Sequence, residues 1–291
     1  MLKEWPLVAF TVLGQTAVGV FWFFHLPFLV RGRAPGPDWR VAWLIILGLT
    51  VLLMVLAAFA SLFHLHHPAR ARRALGNVRS SWLSREILFE LAFGALLVSA
   101  AALSAFRDPG PGLRWGLLTA AGLAGALFLL SMTKLYMLPA VPVWRGIYTP
   151  LAFLSTTLVI GAVATELAVR VIAGPGVFAI DLAAVALVLI AGEIVLAALA
   201  APRHGLRGVS PGPSLRPAGV PPRGLHRARL ALLAAGFIAI AIDRGSGASS
   251  IINERGASPA LLLAFLFVLA GEAAGRFHFY GLVASPGDKS F

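Results

Sequence analysis

Eight long apolar segments run through the chain, separated by short polar or Pro/Gly-rich breaks. Each has the length of about 20 residues that an α-helix needs to cross the hydrocarbon of a bilayer. Leu, Ala, Val, Ile and Phe follow one another within them, without the alternation of apolar and polar residues typical of membrane β-barrel strands. The predicted spans are residues 5–30, 41–64, 86–106, 113–136, 149–173, 178–201, 228–242 and 258–282.

These segments predict an all-α fold, a polytopic membrane bundle of about eight helices that forms a single transmembrane domain over residues 1–291. Hydrocarbon offers no water to backbone amides and carbonyls, so a spanning segment must pair them internally, as a helix does. The charged fraction of 12% is about half that of a soluble domain, which supports the same conclusion. The first apolar segment is too long for the apolar part of a signal peptide and is expected to be a retained helix.

The seventh segment is the weakest, because its apolar core from Leu230 to Ile242 is short for a bilayer. We expect Arg227 and Arg229 to extend it, with their aliphatic stems reaching back to the interface. Residues 202–227 before it are rich in Pro, Gly and Arg and lack apolar periodicity, which predicts a flexible loop.

The net charge of +12 does not point to nucleic acid, because the arginines lie in loops between apolar segments. Such charges are typical of topology signals and of contact with lipid headgroups. The second, fourth and sixth loops carry most of them, which favours termini on the cytoplasmic side. Much of that bias lies in the one long loop, so the sequence leaves the orientation open.

The protein has no cysteine, which excludes disulfides, thiolate metal sites and cysteine-bound iron–sulfur clusters. Histidines in or beside the spans (His25, His64 and His278) include no obvious buried pair on one helix for a haem. Any redox function would therefore use non-cysteine ligands, a diffusible carrier or the cofactors of a partner.

The second loop and its borders hold the most unusual polar residues of the sequence. His64 ends one span, His66 and His67 follow it, and Glu86 opens the next helix. Histidine titrates near neutral pH and a partly buried carboxylate can be tuned toward that range, so the two could accept protons from a quinol. The alternative is that the histidines are interfacial polar residues and that Glu86 is a first-turn carboxylate behind an N-cap at Ser84. A zinc site is disfavoured, because the histidine spacing does not fit the usual ligand patterns.

Several charged residues lie inside the spans. Glu272 and Arg276 are four residues apart in the last span and can neutralise each other on one helix face. Gly271 and Gly275 form a small-xxx-small pair suited to close helix packing. Glu193 has no partner nearby in sequence, so it is either a functional carboxylate or one bonded to a neighbouring helix.

A second pair, Glu166 and Arg170, repeats the four-residue spacing in the fifth span. Near the end of a span, this spacing favours a structural ion pair.

These motifs, in this order, resemble the membrane anchor subunit of bacterial dimethyl sulfoxide reductase-type enzymes. The resemblance covers most of the sequence and includes the loop with the histidines and the last span. It lies in residues 4–15, 61–71, 81–87, 141–150 and 270–281.

The resemblance implies an eight-helix subunit of the bacterial inner membrane without a haem, an iron–sulfur cluster or a metal site. Such a subunit oxidises menaquinol in anaerobic respiration and passes the electrons to a four-cluster, ferredoxin-like iron–sulfur subunit. That partner supplies a molybdopterin catalytic subunit, so the anchor itself does not perform the terminal reduction. The quinol-linked histidine of the family matches His64, and its carboxylate matches Glu86.

On this interpretation His64 accepts a proton from the quinol hydroxyl, Glu86 orients the ring or relays the second proton, and Arg70 tunes both. Arg79 and Arg85 are expected to meet headgroups or the partner subunit. His66 and His67 lie where small residues are expected, which leaves open whether they share the proton-accepting role.

Two other functions stay open. A small secondary transporter would use Glu193 and the Glu272–Arg276 pair as a midplane site. A purely structural anchor would have no quinone site. The terminal electron acceptor and the quinone type do not follow from the sequence.

Overall fold

The computed structural model describes residues 4–31, 40–63, 75–106, 110–137, 144–173, 180–205, 223–245 and 257–281. Over these ranges the protein is all-α, and its eight long helices are each long and apolar enough to cross a membrane. The predicted fold class is thus confirmed. The helices are α1 (Trp5–Arg31), α2 (Arg40–Leu62), α3 (Trp82–Phe106), α4 (Gly110–Tyr136), α5 (Tyr148–Ala173), α6 (Leu182–Gly205), α7 (Arg223–Gly245) and α8 (Pro259–Gly281).

Helices α1 and α5 form the centre of the bundle and touch backbone to backbone. A Cβ atom on Gly19 would lie 2.2 Å from the carbonyl oxygen of Thr157, and one on Gly161 would lie 2.5 Å from the Cα of Gly19. Only glycine fits at this crossing, because any side chain would push the two helices apart. Around it, α1 contacts α2, α4 and α8 as well.

The outer helices present large apolar side chains to the surroundings. Leu52, Val55 and Phe59 of α2 are about half exposed, as are Leu91 and Val98 of α3. In water such surfaces would promote aggregation, whereas in a bilayer they contact lipid chains that are equally apolar.

Several helix ends differ from the limits of the apolar segments, and the three largest extensions carry a helix into a predicted polar break. Helix α3 begins at Trp82 rather than at residue 86, and Ser81 caps it, accepting a hydrogen bond from the Ser84 amide at 3.3 Å. Helix α6 continues to Gly205, and helix α7 begins at Arg223 rather than at residue 228. Both ends of the predicted loop at residues 202–227 are therefore helical, although their composition favoured a loop. Residues 206–222 lie outside the described residues.

The two ends of the bundle are defined by contacts between consecutive helices. At the end where α1 begins, called here the N-terminal end, the ring centre of Trp5 lies 5.4 Å from that of Phe63, which follows α2. At the opposite end, Arg40 of α2 donates to the carbonyl oxygens of Ser104 and Ala105 in α3. The starts of α3, α5 and α7 and the ends of α4, α6 and α8 therefore lie at the N-terminal end.

Candidate functional site

Of the residues predicted for the quinol site, the structure describes Glu86. His64, Arg70, His66 and His67 lie outside the described residues. Glu86 is on the second turn of α3 and only 3% exposed. Because Ser81 rather than Ser84 is the N-cap, Glu86 is not the first-turn carboxylate of the alternative interpretation. Its burial needs another explanation.

The turn before α3 is held by Arg85. Its guanidinium donates to the carbonyl oxygens of Val78 at 2.9 Å and Arg79 at 2.7 Å, and it lies 4.2 Å from the ring centre of Trp82. Two of the three guanidinium nitrogens of Arg85 thus bind the turn itself, and the expected contact with headgroups or a partner stays a prediction. This packing fixes the helix start that carries Glu86.

Glu86 lies within electrostatic range of two tyrosines from other helices. These are Tyr136 at the end of α4 and Tyr280 at the end of α8. The Tyr280 hydroxyl donates to the Tyr136 hydroxyl at 3.0 Å and lies 3.4 Å from the Thr11 hydroxyl of α1. The Glu86 Oε1 atom is enclosed, and no described residue donates a hydrogen bond to it. A buried carboxylate oxygen with a free lone pair can accept a proton or a donor from a ligand.

Glu90 is a residue that the sequence analysis missed. It lies four residues after Glu86 on the same face of α3, and its Oε1 atom is also enclosed without a donor among the described residues. The face continues inward with Phe93, Leu97 and Ala100, all buried. The signal was present in the sequence, since two glutamates at helical spacing in an apolar segment are costly to bury.

Aromatic rings pack beside this position at the N-terminal end. Tyr136 lies within 5.6 Å of the ring centres of Trp144, Phe153, Phe279 and Tyr280. Trp144 stacks on Phe279 at 4.9 Å and donates its indole hydrogen to the carbonyl oxygen of Phe279 at 3.2 Å. These contacts join α4, α5 and α8 around the tyrosine hydroxyls.

A second group of charged residues, the α6–α8 ion network, lies in the same half of the bundle. Arg229 of α7 pairs with Glu193 of α6, and its guanidinium is also 3.5 Å from Glu272 of α8. Ser155 of α5 donates to Glu193 at 3.1 Å. Glu193 therefore has a partner that only the tertiary structure supplies. Arg229, expected to reach the interface, instead lies largely buried between two carboxylates.

Arg276 belongs to the network without a direct bond to Glu272. The Thr156 hydroxyl lies between them, 2.6 Å from Glu272 Oε2 and 3.2 Å from the Arg276 guanidinium. Arg276 also donates to Gln15 at 2.9 Å and stacks at 3.7 Å on the ring of Phe153. The predicted four-residue pair is thus bridged by α5, because the guanidinium turns toward α1 and α5.

The two glycines of α8 lie against α7. A Cβ atom on Gly275 would come within 2.7 Å of Arg229 Nε, so this glycine makes room for the arginine. One on Gly271 would lie 3.3 Å from the Cβ atom of Leu232. The small-xxx-small spacing therefore sets the approach of α7 and the place of its buried charge.

The opposite end of the bundle has its own ion pairs. Arg170 of α5 binds Glu166 at 2.6 Å and Asp243 of α7 at 2.9 Å. Arg244 pairs with Asp181 just before α6, and this hydrogen bond holds the pKa of the Asp181 carboxyl below its usual value. His25, buried near this end, and His278 lie at opposite ends of the bundle and are not brought together.

No group of three or more His, Asp or Glu side chains within the described ranges has the arrangement of a metal site. The polar chemistry of the described bundle consists instead of carboxylates, arginines and tyrosines.

The eight apolar helices and the polar groups buried between them define a multi-pass helical membrane protein. The protein belongs to the family of DMSO reductase anchor subunits (DmsC), which it matches over residues 1–282. It is thus a membrane anchor of a DMSO reductase and a multi-pass protein of the bacterial inner membrane.

Three relatives support this assignment. The YnfH subunit of an anaerobic dimethyl sulfoxide reductase of Escherichia coli (strain K12) is 33% identical over 291 residues, which cover 98% of the present sequence and 96% of the relative. The C subunit of anaerobic dimethyl sulfoxide reductase from the same strain is 32% identical, with the same coverage. The C subunit of the Haemophilus influenzae enzyme is 33% identical over 168 residues, which cover 55% of the present sequence and 56% of the relative. No solved structure matches the protein.

Proposed function

We propose that this protein binds and oxidises menaquinol and delivers the electrons to an iron–sulfur subunit. That four-cluster, ferredoxin-like partner would supply a molybdopterin catalytic subunit in anaerobic respiration. The observation that carries the proposal is the buried Oε1 of Glu86, which has no donor among the described residues and lies within electrostatic range of two tyrosines. In a family of reductase anchors, such a carboxylate supports a role in binding a quinol hydroxyl.

The chemistry assigns a role to each residue. Oxidation breaks the two O–H bonds of the quinol and forms two C=O bonds, so two electrons and two protons must leave. The electrons pass to the iron–sulfur partner. His64 accepts one proton, and Glu86 orients the ring and relays the other. Arg70 tunes both groups through its charge.

The aromatic and hydroxyl groups at the N-terminal end complement this site. The tyrosine pair can donate to a ring oxygen, since a hydroxyl acts as both donor and acceptor. The neighbouring rings of Phe279 and Trp144 provide an apolar wall of the polarity of a quinol ring. The absence of cysteine is consistent with clusters that belong to the partner.

The transporter alternative is less well supported by the geometry. It requires Glu193 and Glu272 to be available to a substrate, yet both lie within ion-pairing distance of Arg229 in the interior. Opening that site would break buried ion pairs, which is costly.

The proposal is tested by menaquinol oxidation in membranes that contain the whole complex. Exchanging either residue, in variants His64→Ala and Glu86→Gln, should lower quinol-dependent reduction about a hundredfold, the usual contribution of a positioned proton acceptor. Reduction driven by an artificial donor to the partner subunits should stay unchanged, and it serves as the control for assembly. Full quinol-dependent activity in both variants would refute the proposal.

A further inference from the structure

We propose that Glu90 is a second proton-accepting carboxylate, which takes from Glu86 a proton released by the quinol. This inference rests on the proposed quinol oxidation and adds a residue to it. Glu90 would not touch the quinol, but would take the proton from Glu86 so that Glu86 can accept another.

The two carboxylates are neighbours on α3. Residues four apart lie on one face of a helix, with a rise of about 6 Å between them. Glu86 and Glu90 interact electrostatically across this distance. Glu90 is one turn further from the N-terminal end, so the pair leads from the proposed site into the bundle.

The direction of this helix face supports an interior role for Glu90. Phe93 and Leu97, which continue the same face, are fully buried, while Leu91 and Val98 beside it are about half exposed. Glu90 therefore points along the packed side of α3 rather than toward lipid. Its Oε1 atom is enclosed even though the side chain as a whole is only partly buried.

Neither carboxylate is neutralised by a cation from the described part of the protein. The nearest arginine in sequence, Arg85, is held by two backbone carbonyl oxygens and the ring of Trp82. The other buried glutamates differ: Glu166 lies within 2.6 Å of Arg170, and Glu272 within 3.5 Å of Arg229. An ion-pairing role explains those residues but not Glu90.

A structural role alone also fails to explain Glu90. A carboxylate inside a spanning helix is costly, and an apolar residue of similar size would pack α3 at lower cost. Two glutamates one turn apart add like-charge repulsion whenever both are ionised. Binding one proton between them removes that repulsion, so the pair is suited to exchange protons.

The turnover of the site supplies the need. His64 takes one of the two quinol protons and Glu86 the other, so Glu86 must lose its proton before it can accept one from the next quinol. When the O–H bond of protonated Glu86 breaks and an O–H bond forms on Glu90, Glu86 is again a carboxylate. No further reactant is needed, because the two electrons have already left for the iron–sulfur partner. Glu90, whose side chain is only partly buried, then releases its proton before the next turnover.

The test is steady-state menaquinol oxidation by the whole complex with Glu90→Gln, beside Glu86→Gln. In Glu90→Gln we expect kcat to fall at least about tenfold, while KM and the affinity for a hydroxyquinoline N-oxide inhibitor change less than about twofold. Restoring a carboxylate with Glu90→Asp should recover part of kcat. The control is Glu4→Gln, which changes an exposed glutamate at the same end of the bundle.

The outcomes separate the two proposals. Wild-type kcat in Glu90→Gln, with a large loss in Glu86→Gln, would overturn the role of Glu90 and leave the quinol site standing. Unchanged kcat in both would refute the proposed function itself. A higher KM together with weaker inhibitor binding in Glu90→Gln would overturn the proton-accepting role and assign Glu90 to quinol binding instead. If Glu90→Gln does not assemble, Glu90→Asp decides: full kcat contradicts the inference, because a shortened carboxylate should slow the transfer.

Discussion

Two groups of carboxylates lie inside the helices of this bundle and differ in their partners. In the α6–α8 ion network, Glu193 and Glu272 both reach Arg229 and accept hydrogen bonds from Ser155 and Thr156. On α3, Glu86 and Glu90 have no cation within ion-pairing distance among the described residues. Because Glu86 is as deeply buried as the network carboxylates, pairing is the main difference between it and them.

The difference separates architecture from chemistry. A buried ion pair is costly to break, so its carboxylates hold helices together, although Glu193 Oε2 and Glu272 Oε1 also have no donor among the described residues. A buried carboxylate without a cation contributes little to packing, and no ion pair has to break before it binds a proton or a ligand. We therefore expect substitutions in the network to lower stability and substitutions on α3 to lower activity.

The largest effect on stability is expected for Arg229→Leu. It leaves Glu193 and Glu272 without a cation, and breaking a buried pair in this way costs about 3–5 kcal/mol. The measurement is the temperature at which the detergent-purified protein loses its size-exclusion peak. Arg227→Leu, at an exposed position on the same helix, is the matched control and should retain the wild-type temperature. An equal loss in both variants would show that the charge of α7, rather than the pairing, matters.

A matched glutamine series tests the comparison directly. Glu272→Gln should lower the free energy of unfolding by about 1.5–3 kcal/mol, because hydrogen bonds to a charged group are lost. Glu86→Gln should change it by less than about 1 kcal/mol, since an amide replaces an unpaired buried carboxylate. Both are followed by the same thermal assay, with quinol oxidation measured in parallel. Greater destabilisation by Glu86→Gln would assign it to the architecture.

A smaller effect is expected at the glycine that makes room for Arg229. In Gly275→Ala the new methyl group would lie 2.7 Å from Arg229 Nε, which forces the guanidinium away from its carboxylates. We expect a loss of about 1–3 kcal/mol, as in overpacked interiors. Gly192→Ala is the control, because nothing lies within 4 Å of its Cβ position. Equal stability of Gly275→Ala and Gly192→Ala would show that Arg229 has room to move.

The smallest effect is expected at the hydrogen bond between Tyr280 and Tyr136. Tyr136→Phe removes the hydroxyl that accepts from Tyr280, and an interhelical hydrogen bond in a membrane contributes about 0.6 kcal/mol. The double variant with Tyr280→Phe should cost less than the sum of the single ones, because both lose the same bond. Strict additivity would mean that the hydroxyls act independently.

The fold was largely predictable because its signal is local. Runs of about 20 apolar residues predict membrane-spanning helices with no knowledge of the neighbours. The predicted starts of α3 and α7 were less accurate. Residues 82–85 resemble the polar break before them, yet a serine cap and the bonds of Arg85 begin the helix there. Arg223 and its neighbours are helical although their composition favours a loop.

The candidate site was predictable only in part. Glu86 was singled out from the polar residues around the second loop and again through family resemblance, and its role stays a prediction. Glu90 was missed, although its spacing from Glu86 was visible. The role of Arg229 was misjudged, because a long side chain near a helix start usually reaches the interface. Its two carboxylate partners come from helices distant in sequence.

The sequence by itself determined the class of protein. Eight apolar segments specify a helical membrane bundle, because backbone amides and carbonyls in hydrocarbon must be paired within the segment. The tertiary structure alone decided which buried charges are paired. Pairing depends on how helices cross, as at Gly19 and Gly161, and on which side chains then fall within a few ångströms. Those distances are set between helices, whereas sequence spacing reports only positions along one helix.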